Sequence, residues 1–342
     1  DYATQIKKLL FSLVDEVDST HWLFTKNPNT DFSRKKKWSF SEIVKFMISM
    51  EGKSLRDELY EYFDYEYETP SNSSFNQRRA QILPEAFEFL FKEFTNTFAR
   101  KDTTYKGYKL IACDGSDLCI SLNPNDKTTY FQSQPTDKGF NLFHLNAFYD
   151  LLERTYTDAI IQPGREKNEK RAMCDMIDRY NGDSNTIFIA DRSYENYNIF
   201  AHAEKRGLYY LIRVKDIDST GILSGMKLPK SDSFDEHISI TLTKKQTKVI
   251  KANKEKYKFV PAKSTFDYLD QDNPFYEMTF RVVRFSITEG SYECIITNLP
   301  KNEFVETQAK FNFDDAVITV ELEGGTVDIE IIDIVPDEGD TD

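Results

Sequence analysis

The chain has 342 residues, 14% of them aromatic and 30% charged, with a formal net charge of -13. That length exceeds one average domain and can bury a sizeable core. The four cysteines (Cys113, Cys119, Cys174, Cys294) show no Cys-x-x-Cys spacing, which argues against a disulfide scaffold or a zinc site and for a reduced, cytoplasmic protein.

No apolar run reaches the ~18 residues that a membrane helix requires. No signal peptide is visible, and the chain opens on Asp1, which leaves an upstream segment open. The charge is uneven: residues 304–342 hold 12 acidic residues and one basic residue, a net of -11, which leaves the remainder at -2. The acidic total therefore describes the tail more than the body, and it does not exclude a nucleic-acid partner.

Residues 1–103 read as a helical domain. Ser39-Phe-Ser-Glu42 has the spacing of a capping box. Ile43, Phe46, Met47 and Met50 follow on one helical face. A second helix starts at Ser54 with Leu55, Leu59 and Phe63 on one side. A third starts near Ser74, with Phe75 and Ile82 inward and Gln77, Arg78 and Arg79 outward, and a fourth runs from Pro84 to Phe98.

From residue 105 the pattern changes to strands, expected near 108–114, 140–149 and 155–161. A helix over 166–180, a strand at 186–190, a helix at 195–206 and a strand at 208–214 complete residues 104–215. The first three strands can form an antiparallel meander, whereas the later ones need helical crossovers and should run parallel. Residues 216–290 read as a β-rich insertion packed beside that sheet, and residues 291–303 return as a core strand. Residues 304–342 form an acidic tail with an expected β-hairpin turning at Gly324-Gly325.

Two short apolar runs each end in an acid: Lys109-Leu-Ile-Ala-Cys-Asp114 and Thr186-Ile-Phe-Ile-Ala-Asp191. A lone buried carboxylate is costly, so two of them at strand ends suggest a site for hard cations. The alternative is a carboxylate that caps the following turn or helix, for Asp191 the helix near Tyr194. Three strands, helix, strand, helix, strand, with acids on the first and fourth strands, is the ribonuclease H-like order. It places Asp114 and Asp191 on neighbouring strands, where the two repel unless a cation sits between them.

The chain resembles the DDE transposases of bacterial insertion sequences, family four, over roughly residues 1–303. The resemblance rests on Ile111-Ala-Cys-Asp-Gly-Ser116, Lys138-Gly-Phe-Asn-Leu-Phe-His-Leu-Asn-Ala-Phe-Tyr-Asp150, Asp158-Ala-Ile-Ile-Gln-Pro163, Ile189-Ala-Asp-Arg-Ser-Tyr194 and Ile295-Ile-Thr-Asn-Leu-Pro300. It implies an α/β ribonuclease H-like mixed sheet with a β-rich insertion, preceded by a helical DNA-binding domain. It further implies DNA cleavage and strand transfer at insertion-sequence ends, two Mg²⁺ or Mn²⁺ ions, and a homodimer on DNA in the bacterial cytoplasm at the nucleoid. Asp114 and Asp191 match the first two metal ligands and catalytic acids of that family.

The resemblance also implies a helix after the Asn-Leu-Pro strand that carries Tyr, Arg, Glu and Lys, its Glu being the third ligand. No such segment follows Pro300: no Arg occurs there, the lysines are Lys301 and Lys310, and Glu321 sits in strand-like Val317-Ile-Thr-Val-Glu-Leu322. The third acid is therefore unassigned, and impaired or absent transposition is expected. Two alternatives stand beside that reading: a non-catalytic DNA-binding relict that competes with intact transposase, or a metal-dependent nuclease of the same fold whose third carboxylate comes from elsewhere, such as Asp117 or Glu195. Glu195 reads otherwise as a first-turn helix acid.

Arg34-Lys35-Lys36-Lys37 is the only dense basic cluster in the helical region, a candidate for phosphate contacts or a solvated loop. Asn76, Gln77, Arg78 and Arg79 are types that read bases or phosphates. Arg192 could contact a phosphate or pair with Asp191. His144 and His202 read as core or surface histidines rather than as ligands.

Overall fold

The computed structural model describes residues 2–34, 37–98, 103–288, 290–301, 310–314, 317–322 and 325–330. The chain divides into two compact units, Asp1–Ala99 and Arg100–Asp342.

The first unit is helical. It opens with α1 (Tyr2–Asp18), in which Ile6, Leu10, Leu13, Val14 and Val17 recur at helical spacing and which buries Val14 and Val17. In α2 (Phe40–Ser49) Ser39 Oγ accepts the Glu42 N–H at 3.0 Å, as the Ser-Phe-Ser-Glu spacing requires. The buried face of α2 is Phe40, Ile43, Val44 and Phe46, whereas Met50 lies past the helix end and is exposed. In α3 (Leu55–Tyr62) the cap is Ser54, as expected. The next helix, α4 (Asn72–Arg79), begins earlier than expected: Ser71 caps it by accepting from the Ser74 N–H, so Ser74 lies inside the first turn. The unit closes with α5 (Glu85–Phe98). Its core is aromatic, with Trp38 against Phe46, Phe63 and Phe75.

The second unit is built on one sheet. Its first strands are β1 (Lys109–Ile120), β2 (Tyr130–Phe131), β3 (Phe140–Asp150) and β4 (Thr155–Pro163). Then come α6 (Glu169–Arg179), β5 (Thr186–Ala190), α7 (Tyr197–Lys205) and β6 (Tyr209–Val214). Pairing runs β4-β3-β1-β5-β6, with β1, β3 and β4 antiparallel and β1, β5 and β6 parallel. The parallel pairs follow from the crossovers: a strand can return beside its predecessor in the same direction only through a helix such as α6 or α7. This is the ribonuclease H-like arrangement, a mixed α/β sheet.

The remaining strands are β7 (Phe234–Thr243), the short β8 (Tyr257–Phe259) after helix α8 (Lys248–Ala252), β9 (Phe275–Thr288) and β10 (Ser291–Thr297). They do not pack beside the main sheet. The strand β10 pairs antiparallel with β6, β9 with β10, and β7 with β9, so the insertion continues the same sheet outward. The Asn-Leu-Pro motif has a local reason: Asn298 Oδ1 accepts the Tyr210 N–H at 2.9 Å and its amide donates to Leu208 O at 3.0 Å, which sews the end of β10 to the start of β6.

Beyond Lys301 the described residues form a separate three-stranded antiparallel sheet of β11 (Lys310–Asp314), β12 (Val317–Leu322) and β13 (Gly325–Glu330). Leu322 pairs with Gly325 across β12 and β13, and residues 323–324, which hold part of the expected Gly324-Gly325 turn, lie outside the described residues.

A large core fills the α6 and α7 face of the main sheet, with Met173, Phe188, Ile199, Phe200 and Tyr210 fully buried. A smaller cluster on the opposite face holds Leu110, Ala112, Ile187, Ile189 and Leu211.

Candidate active site

The parallel pair β1 and β5 ends at Cys113 beside Ala190. Asp191 follows directly as β5 stops. Asp114 does not end its strand, contrary to the sequence expectation. Strand β1 runs on to Ile120 because β3 keeps pairing it, as far as Ile120 opposite Asn141. Asp114 is instead the first position on β1 that has lost its β5 neighbour. The two acids therefore stand at the same level of the sheet, side by side where β5 gives way.

Neither acid caps a helix. Asp191 precedes the short turn of helix Arg192–Tyr194 and accepts no capping hydrogen bond from it. The cap of α7 is Asn196, whose Oδ1 accepts the Asn198 N–H at 2.7 Å. The electrostatics are those of crowded carboxylates. Burial pushes the Asp114 carboxyl above its ordinary value, the negative charges of Asp191 and Glu169 push the same way, and the Gly115 N–H and His144 oppose them. Asp191 Oδ1 is buried and accepts no hydrogen bond. The cations near it are Arg213 Nη1 at 3.6 Å and Arg192 Nε at 3.8 Å. Arg213, on β6, is itself held by a two-pronged pair with Glu293 on β10.

Gly115 shows why glycine follows Asp114. A Cβ there would stand 2.6 Å from His144 Nε2, so the missing side chain is what lets the His144 ring lie against β1. His144 is buried, donates from Nδ1 to Asp117 Oδ1 at 2.5 Å, and places Nε2 at 3.2 Å from Glu169 Oε1. Asn146, also fully buried, directs an unpaired Oδ1 toward the same space. Gly115→Ala should therefore displace the His144 ring and cost about 1–3 kcal/mol as an overpacked site. A melting curve and the His144 ring proton shifts check this.

The other acids weighed as third ligand are engaged elsewhere. Asp117 faces His144 and Lys167, the latter at 3.3 Å; burial opposes its charge, but hydrogen bonds from these two side chains hold its carboxyl below the usual range. Glu195 accepts the Lys215 N–H at 3.0 Å and precedes α7 rather than lying in its first turn. Glu321 lies in β12. Arg192 is exposed. His202 is buried between Asp178 and Asp267, a structural role.

In the helical unit, Arg34 is exposed, Lys35 and Lys36 lie outside the described residues, and Lys37 donates to Glu68 O at 2.7 Å. On α4, Asn76, Gln77 and Arg79 are exposed. Arg78 is half-buried, donating to Gln81 and lying over the Phe32 ring at 5.1 Å.

Residue spacing did not mark Glu169, Asn146, Arg213 or Glu293. The one signal available for Glu169 was its place after Asn168, whose side chain caps α6. Among the described residues no group of three His, Cys, Asp or Glu side chains is gathered closely enough to hold a metal ion. The donor chemistry nevertheless suits a divalent cation: two adjacent carboxylates, one with an orphaned buried oxygen.

Fold and site together define a ribonuclease H-like protein with paired acids on its first and fourth core strands. The family model described as transposase DDE domain matches residues 92–306, more than half of the chain. The chain belongs to the transposase DDE domain family. A search of curated proteins returns no match. Among solved structures it is similar to a piggyBac transposase in a synaptic complex with hairpin DNA, with 9% identity and a TM-score of 0.40 over 90% of this chain. The alignment spans 62% of that protein's length. No helix among the described residues is long and apolar enough to cross a membrane.

Proposed function

We propose that the chain is a DNA-processing transposase polypeptide that cleaves phosphodiester bonds at Asp114 and Asp191 with divalent metal, of insertion-sequence family four, acting as a homodimer on element ends. The observation that carries this reading is the pair of acids standing side by side where β5 ends. Mg²⁺ or Mn²⁺, when bound, supplies the positive charge that a phosphodiester displacement needs on its attacking and leaving oxygens. The protein's part is to orient: β1 and β5 fix the spacing of the two carboxylates, and Arg213, clamped by Glu293, fixes Asp191 from the side.

The complete transposition cycle should be impaired. The resemblance calls for an acid-bearing helix after Pro300, and the described residues there are the strands β11, β12 and β13. The test is a plasmid carrying the DNA that flanks this coding sequence, incubated with the protein and Mn²⁺. Nicking lost in Asp191→Ala supports the reading. Metal-independent or variant-insensitive nicking overturns it, and end-specific binding without nicking points to the non-catalytic relict.

The helical unit is the proposed DNA reader, through Arg34, Lys37, Gln77 and Arg79. Gln77→Glu with Arg79→Glu should weaken DNA binding at least tenfold and lower the slope of log affinity against log salt by about 1. Arg78 is a poorer probe, because its contacts with Gln81 and Phe32 belong to the fold. Unchanged affinity and slope would remove α4 from the interface.

A further inference from the structure

We propose that the lysine-rich edge of the insertion, from the end of β7 through α8 to β8, binds a single-stranded segment of DNA. Its lysines meet the phosphates, and Phe259 and Phe275 meet the bases. The proposal rests on the reading of the chain as DNA-processing and deepens it, but it needs neither the helical unit nor a metal ion.

Three observations carry it. The first is charge. Residues 244–258 hold seven lysines and one acid, Glu255, a net of +6, whereas residues 1–303 as a whole stand at -2. Glu255 is already matched from outside the run, by Lys227 at 2.6 Å. Lys258 is half-buried and donates to Ser224 O at 2.8 Å. The other six, Lys244, Lys245, Lys248, Lys251, Lys254 and Lys256, are exposed and form no ion pair among the described residues. Like charges this dense repel one another, and a polyanion relieves the repulsion while shedding its own counterions.

The second observation is placement. Lysine on an outer strand guards a free sheet edge, and β8 is such a strand. Edge protection does not account for Lys244, Lys245, Lys248, Lys251 and Lys254, which all precede it. In α8, Ile250 is buried, and Lys248 and Lys251 share a face turned away from it.

The third observation is a set of rings. Thr243 of β7 pairs with Phe275 of β9 on one side and with Phe259 of β8 on the other, so the two rings project from one face of the sheet. They are 45% and 43% exposed. Tyr257, two residues before Phe259, adds a third ring 6.1 Å from Phe275, and Lys245 Nζ stands 5.4 Å from the Phe275 ring centre. Rings interleaved with cations hold a strand whose bases are unpaired, because each base has a face to stack. Duplex DNA would leave the rings unused, and a lipid surface calls for a longer amphipathic helix than the five residues of α8.

Fluorescence anisotropy of a labelled oligothymidylate of about 20 nucleotides, longer than one such site needs, titrated with the full chain without metal, tests this. Each variant is first shown to keep the parent's melting temperature within a few degrees. Lys248→Glu with Lys251→Glu should weaken binding about tenfold or more and lower the slope of log affinity against log salt by about 1. Phe259→Leu with Phe275→Leu should weaken it about fivefold or more and leave the slope unchanged. If that pair fails to fold, Phe275→Leu alone takes its place with about a threefold loss. Gln77→Glu with Arg79→Glu, in the helical unit, should change it less than about threefold. A folded lysine variant with parental affinity overturns the proposal, as does polyglutamate that competes as well per charge, which would assign the lysines to an acidic protein segment. A loss in the lysine variant with none in the phenylalanine variant overturns the single-stranded assignment. If the parent binds duplex DNA but no oligothymidylate, this proposal alone fails; if it binds neither, the DNA-processing reading fails with it.

Discussion

Asp114→Asn should make the metal-free protein more stable while removing its response to metal. Burial and the charges of Asp191 and Glu169 raise the Asp114 carboxyl above its ordinary value. A carboxyl raised in the folded state binds its proton more tightly there than in the unfolded chain. Its ionisation therefore costs stability, and the cost grows as pH climbs from the unfolded value of 3.8 through the folded one and is full above it. Asparagine lifts that cost at neutral pH. The expected gain is on the order of 1 kcal/mol, a rise in Tm of about 2–4 °C for a unit of this size. Mn²⁺ at about a hundred times its Kd should stabilise the parent by roughly 2.7 kcal/mol and the variant by much less. A variant less stable than its parent without metal would mean that Asp114 is held by a partner and is not a strained ligand. Paired melting curves with and without Mn²⁺ at neutral pH decide the matter.

The largest loss of stability should come from a different ion pair. Arg281 on β9 donates to both oxygens of Asp235 on β7 and to Leu299 O at 2.8 Å, and the paired side chains are 3% and 7% exposed. Asp235→Ala would leave the guanidinium buried without its carboxylate, at a cost of about 3–5 kcal/mol. Replacing both partners by apolar residues of similar volume should recover most of it, because the pair's own desolvation disappears too. The pH dependence has the opposite sign to that of Asp114. Burial opposes the charge of Asp235, but Arg281 and Lys301 hold its carboxyl below its ordinary value of 3.8. Its contribution is therefore full above that value and is lost as pH falls through the lower folded one. Urea denaturation of the single and double variants at neutral pH and at acid pH measures both effects. A cost under about 1 kcal/mol for Asp235→Ala would show that water reaches Arg281.

What residue patterns reveal here depends on where the determining contact lies. The run Thr186-Ile-Phe-Ile-Ala announces β5 because it is buried on both faces, which needs an unbroken apolar segment. The order of strands and helices sets the parallel and antiparallel pairs, since connection length alone decides direction. The extent of β1 was not legible. Gly115, Ser116 and Asp117 are turn residues by composition, and pairing with Asn146, Leu145 and His144 of β3 holds them extended. The path of the insertion was equally hidden: alternation marks β7 and β9 as strands but does not say that β10 joins them to β6. In the site, the two aspartates stood out because each interrupts an apolar run. Glu169 did not, being one acid in a helix with others, and its neighbourhood exists only after Gly115, His144 and Asn146 are brought together.

The account turns on Asp114 and Asp191 being a cation site. Diffraction from crystals soaked in Mn²⁺, collected at the manganese edge, locates the ion directly. Anomalous density bridging the carboxylates of Asp114 and Asp191, absent in Asp191→Ala crystals, is the expected result. Manganese bound elsewhere, with Asp114 and Asp191 free of it at saturating concentration, would contradict the account.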